Sequence, residues 1–337
     1  MITEARVLHP EWTPTELIHR NPEKNQLRNA LQPVIHDEPA SNILITGPSG
    51  AGKTCLARYT VDRLEEQAPR IDTGYVNCWT QSTPLRTLHS LLDDLGRSMT
   101  IHRTTPTSDI VDDLRDMDGK QVCILDEVDQ LGSGDVLRQL IDLPNVTWLL
   151  ATNDYQHLVG TFEARLQSRL RTCEHVEIDA YSVDSLTAIL RRRADVGLRA
   201  GAVSDDVLRQ IADEAVGNAR DAISGLRQAA KTAERAGAEE IESDHVQLAM
   251  PRSRYHRRKR TLGQLQSDQR LLYDIINEYG EIAPGTLYDE YQQRASSPVV
   301  QRTLRNYLSK LDQYNLIDAT GTGPNRRYVA IPVSSTS

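Results

Sequence analysis

The segment GPSGAGKTCLARYT, residues 47–60, constrains this chain more than any other part of the sequence. Gly47, Gly52, Lys53 and Thr54 satisfy the pattern G-x-x-x-x-G-K-[ST], in which the glycines let the backbone curl so that its N–H groups face phosphate oxygens. An apolar stretch precedes the loop and an amphipathic helical pattern follows it, which is the strand–loop–helix context that such a loop requires. The chain is therefore predicted to bind a nucleotide.

The stretch ILDEVDQL, residues 124–131, supplies the second half of a nucleotide site. An apolar strand pattern ends in Asp126, whose carboxylate is placed to hold a Mg²⁺ ion. The neighbouring Glu127 is a second carboxylate, which could polarise an attacking water molecule. A kinase for small metabolites does not need such a base beside its metal-binding aspartate, so the pair favours an ATPase. Asn153 follows the strand pattern VTWLLAT (146–152) and is predicted to hydrogen-bond the γ-phosphate or the lytic water.

These motifs predict ATP or ADP and Mg²⁺ as cofactors. Lys53 would contact the β- and γ-phosphates, and the helix that begins there directs its positive dipole end at the same anions. Thr54 and Asp126 are the predicted metal ligands. The predicted nucleotide-binding residues are Gly47, Pro48, Ser49, Gly50, Ala51, Gly52, Lys53, Thr54, Cys55 and Asp126.

The hydrophobic patterns predict an α/β fold with a mainly parallel sheet, because strand patterns alternate with helical ones in the first half of the chain. The strand patterns are NILIT (42–46), TGYVNCW (73–79), QVCILD (121–126), VTWLLAT (146–152) and EHVEID (174–179). From about Tyr181 the patterns are helical. The predicted domains are a nucleotide-binding α/β domain (1–180), a helical lid (181–251), a basic linker (252–262) and a winged-helix domain (263–337).

The last part of the chain is predicted to bind double-stranded DNA. The net charge is −8, yet from Arg252 onward 13 Lys and Arg outnumber 8 Asp and Glu, which concentrates positive charge at this end. Three helical patterns and a two-stranded ribbon indicate a winged helix, whose third helix has one apolar face. The predicted DNA contacts lie on the rest of that helix and at the ribbon: Gln301, Arg302, Arg305, Asn306, Lys310, Arg326 and Arg327.

The nucleotide motifs, in this order, resemble those of the AAA+ ATPases. The segment FEARLQSRLRT (162–172) is similar to the region in which that family carries an arginine finger, a guanidinium that meets the γ-phosphate of a neighbouring protomer. The candidates here are Arg165, Arg169 and Arg171. GNARDAI (217–223) is similar to the second sensor motif, which implies that Arg220 contacts the γ-phosphate from the lid. The predicted catalytic residues are then Glu127, Asn153 and Arg220.

The AAA+ core, lid and winged helix together resemble the archaeal origin-recognition and cell-division-cycle (ORC/CDC-type) replication initiators. YVNCW, AYSVDSLTAILRRRADVGL (180–198) and GNARDAISGLR follow that family's local patterns in order, with Asn218 where Asp is usual. The resemblance implies an initiator that binds a duplex replication origin and uses ATP binding and slow hydrolysis as a conformational switch. It also implies replicative helicase loading, self-association on DNA and a DNA-contacting insertion around residues 81–106.

Other functions share these features. A DNA motor or loader of the branch-migration or clamp-loader type would hydrolyse ATP quickly in a ring, and a transcription regulator or a partner-binding protein could also hold a nucleotide. A chromosomal initiator and a divergent or plasmid paralogue are not distinguished. No apolar run approaches the roughly 20 residues that span a bilayer, and residues 1–12 lack the apolar core of a signal peptide. We therefore expect a cytoplasmic location and no membrane partner.

Overall fold

A computed structural model describes residues 1–97, 105–131, 134–153, 155, 158, 162–314, 316–321 and 326–331, without the side chains of 251–257, 260, 264 and 313. The chain divides into two compact units. The sheet unit comprises Pro10–Ile189 and Val216–Ala219. The helical unit comprises Met1–His9, Leu190–Ala215 and Arg220–Ser337.

Parallel strands form the centre of the sheet unit. Their bounds are β1 (Ile43–Thr46), β2 (Asp72–Asn77), β3 (Gln121–Asp126), β4 (Val146–Thr152) and β5 (Glu174–Glu177). Their order across the sheet is β2-β3-β4-β1-β5. Every residue of β1, β3 and β4 is buried, which accounts for the continuous apolar character of these strands. Because the strands are parallel, the loops after β1, β3 and β4 meet at one edge of the sheet.

Helices cover both faces of this sheet. One face packs against α1 (Asn21–Ile35) and α2 (Lys53–Gln67), in a core that includes Leu27, Leu31, Ile45 and Leu56. The other face packs against α3 (Pro84–Asp94), α4 (Thr107–Arg115), α5 (Gly134–Ile141) and α6 (Ala164–Arg171), in a core that includes Leu88, Ile110, Leu137 and Trp148. Alternate residues of each strand enter the two cores, as the pleat requires. The predicted α/β class is confirmed.

The helical unit combines the first nine residues of the chain with residues from its second half. Met1–His9 group with this unit and not with the sheet, which differs from the predicted domain 1–180. A buried arginine holds Met1–His9 against α7. Arg193 donates to the backbone oxygens of Val7 at 2.6 Å and of His9 at 2.8 Å. Leu8 is fully buried beside it.

Four helices precede the tail: α7 (Val183–Gly197), α8 (Asp205–Glu214), α9 (Ala219–Arg235) and α10 (Ser243–Gln264). The first half of α7 and the first residue of α9 belong to the sheet unit. A Cβ on Gly225 would lie 2.4 Å from the sulfur of Met250, so α9 and α10 pack in close contact. Residues 252–262, predicted to be a linker, lie inside α10. The basic composition suggested a solvated connection, yet Arg and Lys are good helix formers and this stretch contains no Gly or Pro.

The tail of the helical unit has its own core. Its elements are α11 (Ser267–Tyr279), β6 (Glu281–Ile282), α12 (Pro284–Arg294), α13 (Gln301–Gln313), β7 (Ile317–Thr320) and β8 (Arg327–Ala330). The strands form an antiparallel sheet in the order β6-β8-β7, packed on Leu272, Leu304 and Leu308. The three predicted helices and the two-stranded ribbon are present, with the addition of β6, which is too short to give a strand pattern. The assignment of this tail as a winged helix stays a prediction. The turn residues 322–325 lie outside the described residues, as do residues 98–104 of the predicted insertion.

Within the described residues, none of the helices combines the length and the apolar character that crossing a membrane would need.

Candidate nucleotide site and basic surface

The loop between β1 and α2 gathers polar groups around Lys53. The lysine begins α2 and is 7% exposed. Its ammonium group donates to the backbone oxygens of Gly47 at 2.6 Å and Pro48 at 2.9 Å, and to Oδ1 of Asn153 at 2.8 Å. The structure therefore brings together two residues, Lys53 and Asn153, that sequence analysis singled out on separate grounds.

The path of this loop requires its glycines. Gly47, Gly50 and Gly52 have φ angles of 151°, 80° and 98°. A Cβ on Gly47 would lie 2.1 Å from the backbone oxygen of Ile178, and a Cβ on Gly52 would lie 2.6 Å from the hydroxyl of Tyr181. The segment after β5 therefore lies directly against the loop and leaves no room for a side chain at either position.

Asp126 is the second polar centre at this edge of the sheet. It is 3% exposed, and its Oδ2 accepts hydrogen bonds from the hydroxyls of Thr54 at 2.7 Å and Tyr75 at 3.1 Å. Its Oδ1 accepts from the backbone N–H of Glu127 at 3.0 Å. Burial, and then the charge of Asp126, raises the pKa of Tyr75 to about 12, so the phenol keeps its proton at neutral pH. The adjacent oxygens of Thr54 and Asp126 are the hard donors that suit Mg²⁺.

Glu127 lies in a conformation that is uncommon for a residue with a side chain. Its φ angle is 53°, and a short 3₁₀ turn, Val128–Gln130, follows it. A left-handed conformation costs about 1–2 kcal/mol, and such residues cluster at functional sites. In the same turn Asp129 is 9% exposed and accepts a hydrogen bond of 2.8 Å from the hydroxyl of Thr152, which ties the ends of β3 and β4 together next to Asn153. Sequence analysis did not identify Asp129 or Thr152.

Arg20 is another residue that sequence analysis missed. It is 8% exposed, and its guanidinium donates to the backbone oxygens of Ala51 at 2.9 Å and Asp179 at 2.6 Å. The same group lies 4.1 Å from the centre of the Tyr181 ring. Arg20 thus connects the start of α1, the phosphate-loop sequence and the segment after β5. Its position just before the Asn21–Pro22 helix start was the available signal.

Part of the predicted second sensor, residues 217–223, lies next to the phosphate-binding loop. Ala219, the first residue of α9, donates its backbone N–H to the oxygen of Gly50 at 3.1 Å. A Cβ on Gly50 would lie 2.0 Å from Oδ1 of Asn218, so the loop is in contact with the segment Val216–Ala219 of the sheet unit. Arg220 is the next residue and is exposed, in the helical unit. Its contact with the γ-phosphate stays a prediction.

The arginine-finger candidates lie on α6 and are exposed: Arg165, Arg169 and Arg171. Arg169 forms an ion pair of 2.9 Å with Asp142, in the loop before β4. That loop lies at the amino end of the strand, opposite to the edge that carries Lys53 and Asp126. Assignment of the finger stays a prediction.

Helix α13 presents a polar face that only partly matches the predicted DNA contacts. Gln301, Arg302 and Arg305 are exposed and Asn306 is half-buried. Lys310, by contrast, is 2% exposed, and its ammonium group lies 4.9 Å from the centre of the Tyr314 ring. The expectation that Lys310 is available to phosphates is wrong, because the side chain is buried and its ammonium group lies over an aromatic ring.

The arginines near the ribbon lie close to α13. Arg326 is exposed, and its guanidinium lies 5.4 Å from the centre of the Tyr328 ring. Burial raises the pKa of Tyr328, while the positive charges of Arg326 and Arg305 oppose the rise, so both guanidinium groups act on one phenol. Arg327 is half-buried, with its Nε 3.8 Å from Glu281. Arg302 and Arg305 are three residues apart on α13 and are therefore neighbours on the helix surface. These two arginines and Arg326 are called the basic surface.

Known families match two parts of this chain, and a known protein matches its whole length. Residues 36–168 match the AAA domain family, and residues 187–250 match the Cdc6 AAA+ ATPase-type lid domain family. Over its whole length the chain is 40% identical to "ORC1-type DNA replication protein 9" of Halobacterium salinarum, and the match covers 96% of that protein. It is 41% identical to "ORC1-type DNA replication protein 1" of the same organism, over 91% of this chain and all of that protein.

Among solved structures, the fold is similar to that of the Aeropyrum pernix ORC1 protein in complex with DNA. The TM-score is 0.77 at 24% sequence identity, and the match covers 98% of this chain and 93% of that protein. At this identity the likeness shows a shared fold over both units.

Proposed function

The chain belongs to the ORC1-type DNA replication proteins, and on this premise we propose that it is an ATP-dependent initiator whose tail binds duplex origin DNA. Membership in this family makes it an AAA+ ATPase that binds ATP and ADP. The observation that carries the DNA part of the proposal is the exposure of the arginines of the basic surface, with Arg302 and Arg305 on neighbouring turns of α13 and Arg326 at the ribbon over the Tyr328 ring. The A. pernix ORC1 protein, which shares the fold, was solved in complex with DNA.

Nucleotide binding begins at Lys53, which donates to neutral oxygens of Gly47, Pro48 and Asn153. Phosphate oxygens carry full charge, so the β- and γ-phosphates of ATP would replace the carbonyl groups of Gly47 and Pro48 as its partners. Thr54 and Asp126 would hold Mg²⁺, which neutralises phosphate charge. Asn153, released from Lys53, would orient the γ-phosphate or the lytic water.

Glu127 would accept a proton from the attacking water. Its left-handed backbone directs the chain into the turn that contains Asp129, so its position depends on β3 and β4 together. We propose slow turnover, well below the roughly 10 s⁻¹ of a median enzyme, because a switch must persist in its ATP form. Rapid turnover in a stable ring would favour a DNA motor instead.

The switch would act through Arg220. The preceding residue, Ala219, is hydrogen-bonded to Gly50 of the loop, which supports an approach of Arg220 to the γ-phosphate. An arginine that contacts only the terminal phosphate would favour one lid position with ATP and release it with ADP. Helicase loading and self-association on DNA would follow from the ATP form, with Arg165 or Arg169 as the finger.

The proposal is tested by footprinting duplex DNA that flanks the protein's own gene, at several salt concentrations, with ATP, with ADP and with the Lys53→Ala variant. We expect a specific footprint that strengthens with ATP and that Lys53→Ala forms no better with ATP than with ADP. Absence of a footprint at every salt concentration would refute origin binding.

A pair of charge-matched variants isolates the basic surface. Arg302→Ala with Arg305→Ala should weaken binding and lower the slope of log affinity against log salt by about 2, since each phosphate contact contributes about 0.9. The control, Arg270→Ala with Arg294→Ala, removes the same charge from arginines of the same tail that are paired with Asp274, Glu278 and Glu290. Equal losses in both double variants would show that general charge, rather than this surface, retains DNA.

A further inference from the structure

We propose that Tyr75 is a positioning residue for the divalent cation that accompanies the nucleotide. Its hydroxyl would hold the carboxylate of Asp126 in one orientation, and Arg58 would hold the Tyr75 ring. This inference rests on the proposed Mg²⁺ site of Thr54 and Asp126, and it assigns a role to two residues outside the nucleotide-binding motifs.

The geometry of β2 and β3 places Tyr75 within reach of Asp126. In the parallel register Tyr75 is the partner of Ile124, and Asn77 is the partner of Asp126. Side chains two residues apart lie on the same face of a strand, so Tyr75 and Asp126 are diagonal neighbours on one face of the sheet. A tyrosine is long enough to span this diagonal, and its hydroxyl lies 3.1 Å from Oδ2 of Asp126.

The Asp126 carboxylate is buried and therefore depends on its donors. At 3% exposure it has little contact with solvent, and a buried carboxylate is costly unless its oxygens accept hydrogen bonds. Oδ2 accepts from both Thr54 and Tyr75, and Oδ1 accepts from the backbone of Glu127. Of the two hydroxyl donors, Thr54 is itself a predicted cation ligand. Tyr75 is the one that can stay on the carboxylate without taking part in coordination.

Arg58 fixes the Tyr75 ring from the other side. Thr54 and Arg58 are four residues apart on α2, so they lie on the same face of that helix. The Arg58 guanidinium carbon lies 3.7 Å from the centre of the Tyr75 ring, a close cation–π contact. One helix face thus supplies both a cation ligand and the group that holds the phenol, so the start of α2, β2 and β3 are connected through Asp126.

The test is the Mg²⁺ dependence of nucleotide binding by Tyr75→Phe, which removes the hydroxyl and keeps the ring for Arg58. The affinity of a fluorescent ATP analogue is measured across a Mg²⁺ titration and in EDTA. We expect the half-saturating Mg²⁺ concentration to rise about tenfold, the lower end of what partners of metal ligands contribute. Affinity in EDTA should stay within about twofold of the wild-type value.

Tyr59→Phe is the matched control. Tyr59 is also a half-buried tyrosine of the sheet unit with cations over its ring, Lys24 at 5.9 Å and Arg63 at 5.4 Å, but it lies in α2 with no bond to Asp126 among the described contacts. Its Mg²⁺ titration should match that of the wild type. Arg58→Met provides a second route, because it keeps the hydroxyl and removes the cation, and it should shift the Mg²⁺ titration in the same direction by a smaller factor.

The outcomes separate this inference from the function on which it rests. If Asp126→Asn shifts the Mg²⁺ titration while the titration curve of Tyr75→Phe matches that of the wild type, the role of Tyr75 is refuted and the Mg²⁺ site stands. If Tyr75→Phe weakens binding equally with Mg²⁺ and in EDTA, the residue is structural and the inference is wrong. If the wild type binds nucleotide without any Mg²⁺ dependence, the proposed site and the inference are both overturned.

Discussion

Replacing Gly47 by alanine tests how the phosphate-binding loop is held at the end of the sheet. The added Cβ would lie 2.1 Å from the backbone oxygen of Ile178, where a carbon–oxygen contact is normally about 3.3 Å or more. A gap of about 1 Å must therefore open. Ile178 is poorly placed to yield, because it is 1% exposed and its N–H donates to Thr46 at 2.8 Å. The loop would move instead, and Lys53, which is bonded to the oxygen of Gly47, would move with it.

A hydrogen bond to a charged group contributes about 1.5–3 kcal/mol. Displacing Lys53 from the phosphates should cost about one such bond, so we expect Gly47→Ala to bind a fluorescent ATP analogue about 100-fold more weakly, equivalent to about 2.7 kcal/mol. The control is Gly119→Ala, whose φ angle is also positive, at 80°, and whose Cβ would meet nothing within 4 Å. That change should cost only about 1–2 kcal/mol of backbone strain, seen as a lower Tm, and leave nucleotide affinity unchanged.

The two variants together distinguish the local contact with Ile178 from general destabilisation of the fold. If neither variant binds the analogue more weakly than the wild type, then Ile178 does not fix the path of the loop. If both variants lose affinity equally, general destabilisation explains the loss and the local contact does not.

Three further predictions concern the tail. Lys310→Met should leave the salt dependence of DNA binding unchanged, whereas Arg305→Ala should lower its slope by about 1, because Lys310 is buried and Arg305 is exposed; equal slopes for the two would contradict this. Tyr291→Phe should lower the free energy of unfolding by about 1–3 kcal/mol, measured by denaturant titration, because the buried Tyr291 hydroxyl donates to Asp268 at 2.7 Å. Burial, and then Asp318, raises the pKa of Asp312, so its charged form destabilises the folded state and Asp312→Asn should raise Tm at pH 7. That gain should shrink as the pH falls through the raised pKa and vanish below the ordinary Asp pKa of about 3.9, where the carboxyl becomes protonated in both states. A gain that is constant with pH would refute it.

Much of the sheet unit follows from local sequence. The patterns QVCILD and VTWLLAT coincide with β3 and β4 because strands buried on both faces need continuous apolar residues. The unusual backbone of the loop glycines was predictable for a similar reason, since backbone N–H groups can surround phosphate only along a path that glycine permits. Lys53 and Thr54 follow the loop in the predicted order, at the start of α2.

The exposure of individual side chains in the tail was less predictable from the sequence. The helical period identified Val300, Leu304, Leu308 and Leu311 as one apolar face of α13. The three leucines are buried, but Val300 is 70% exposed because it lies at the N-cap, before the first turn of the helix. The same period left Lys310 outside that face. Periodicity gives the direction of a Cβ and not the course of a long flexible side chain, so the burial of Lys310 depends on where the Tyr314 ring lies.

The sequence by itself determined the α/β class and predicted the loop between β1 and α2 with the residues assigned to it, because each is encoded within a short stretch of chain. The tertiary structure alone decided which groups support them. Tyr75, Asp126 and Thr54 are separated by up to 72 residues, and they meet because the order of parallel strands places their ends at one edge. Contacts of this kind depend on strand order and register, which no local pattern records.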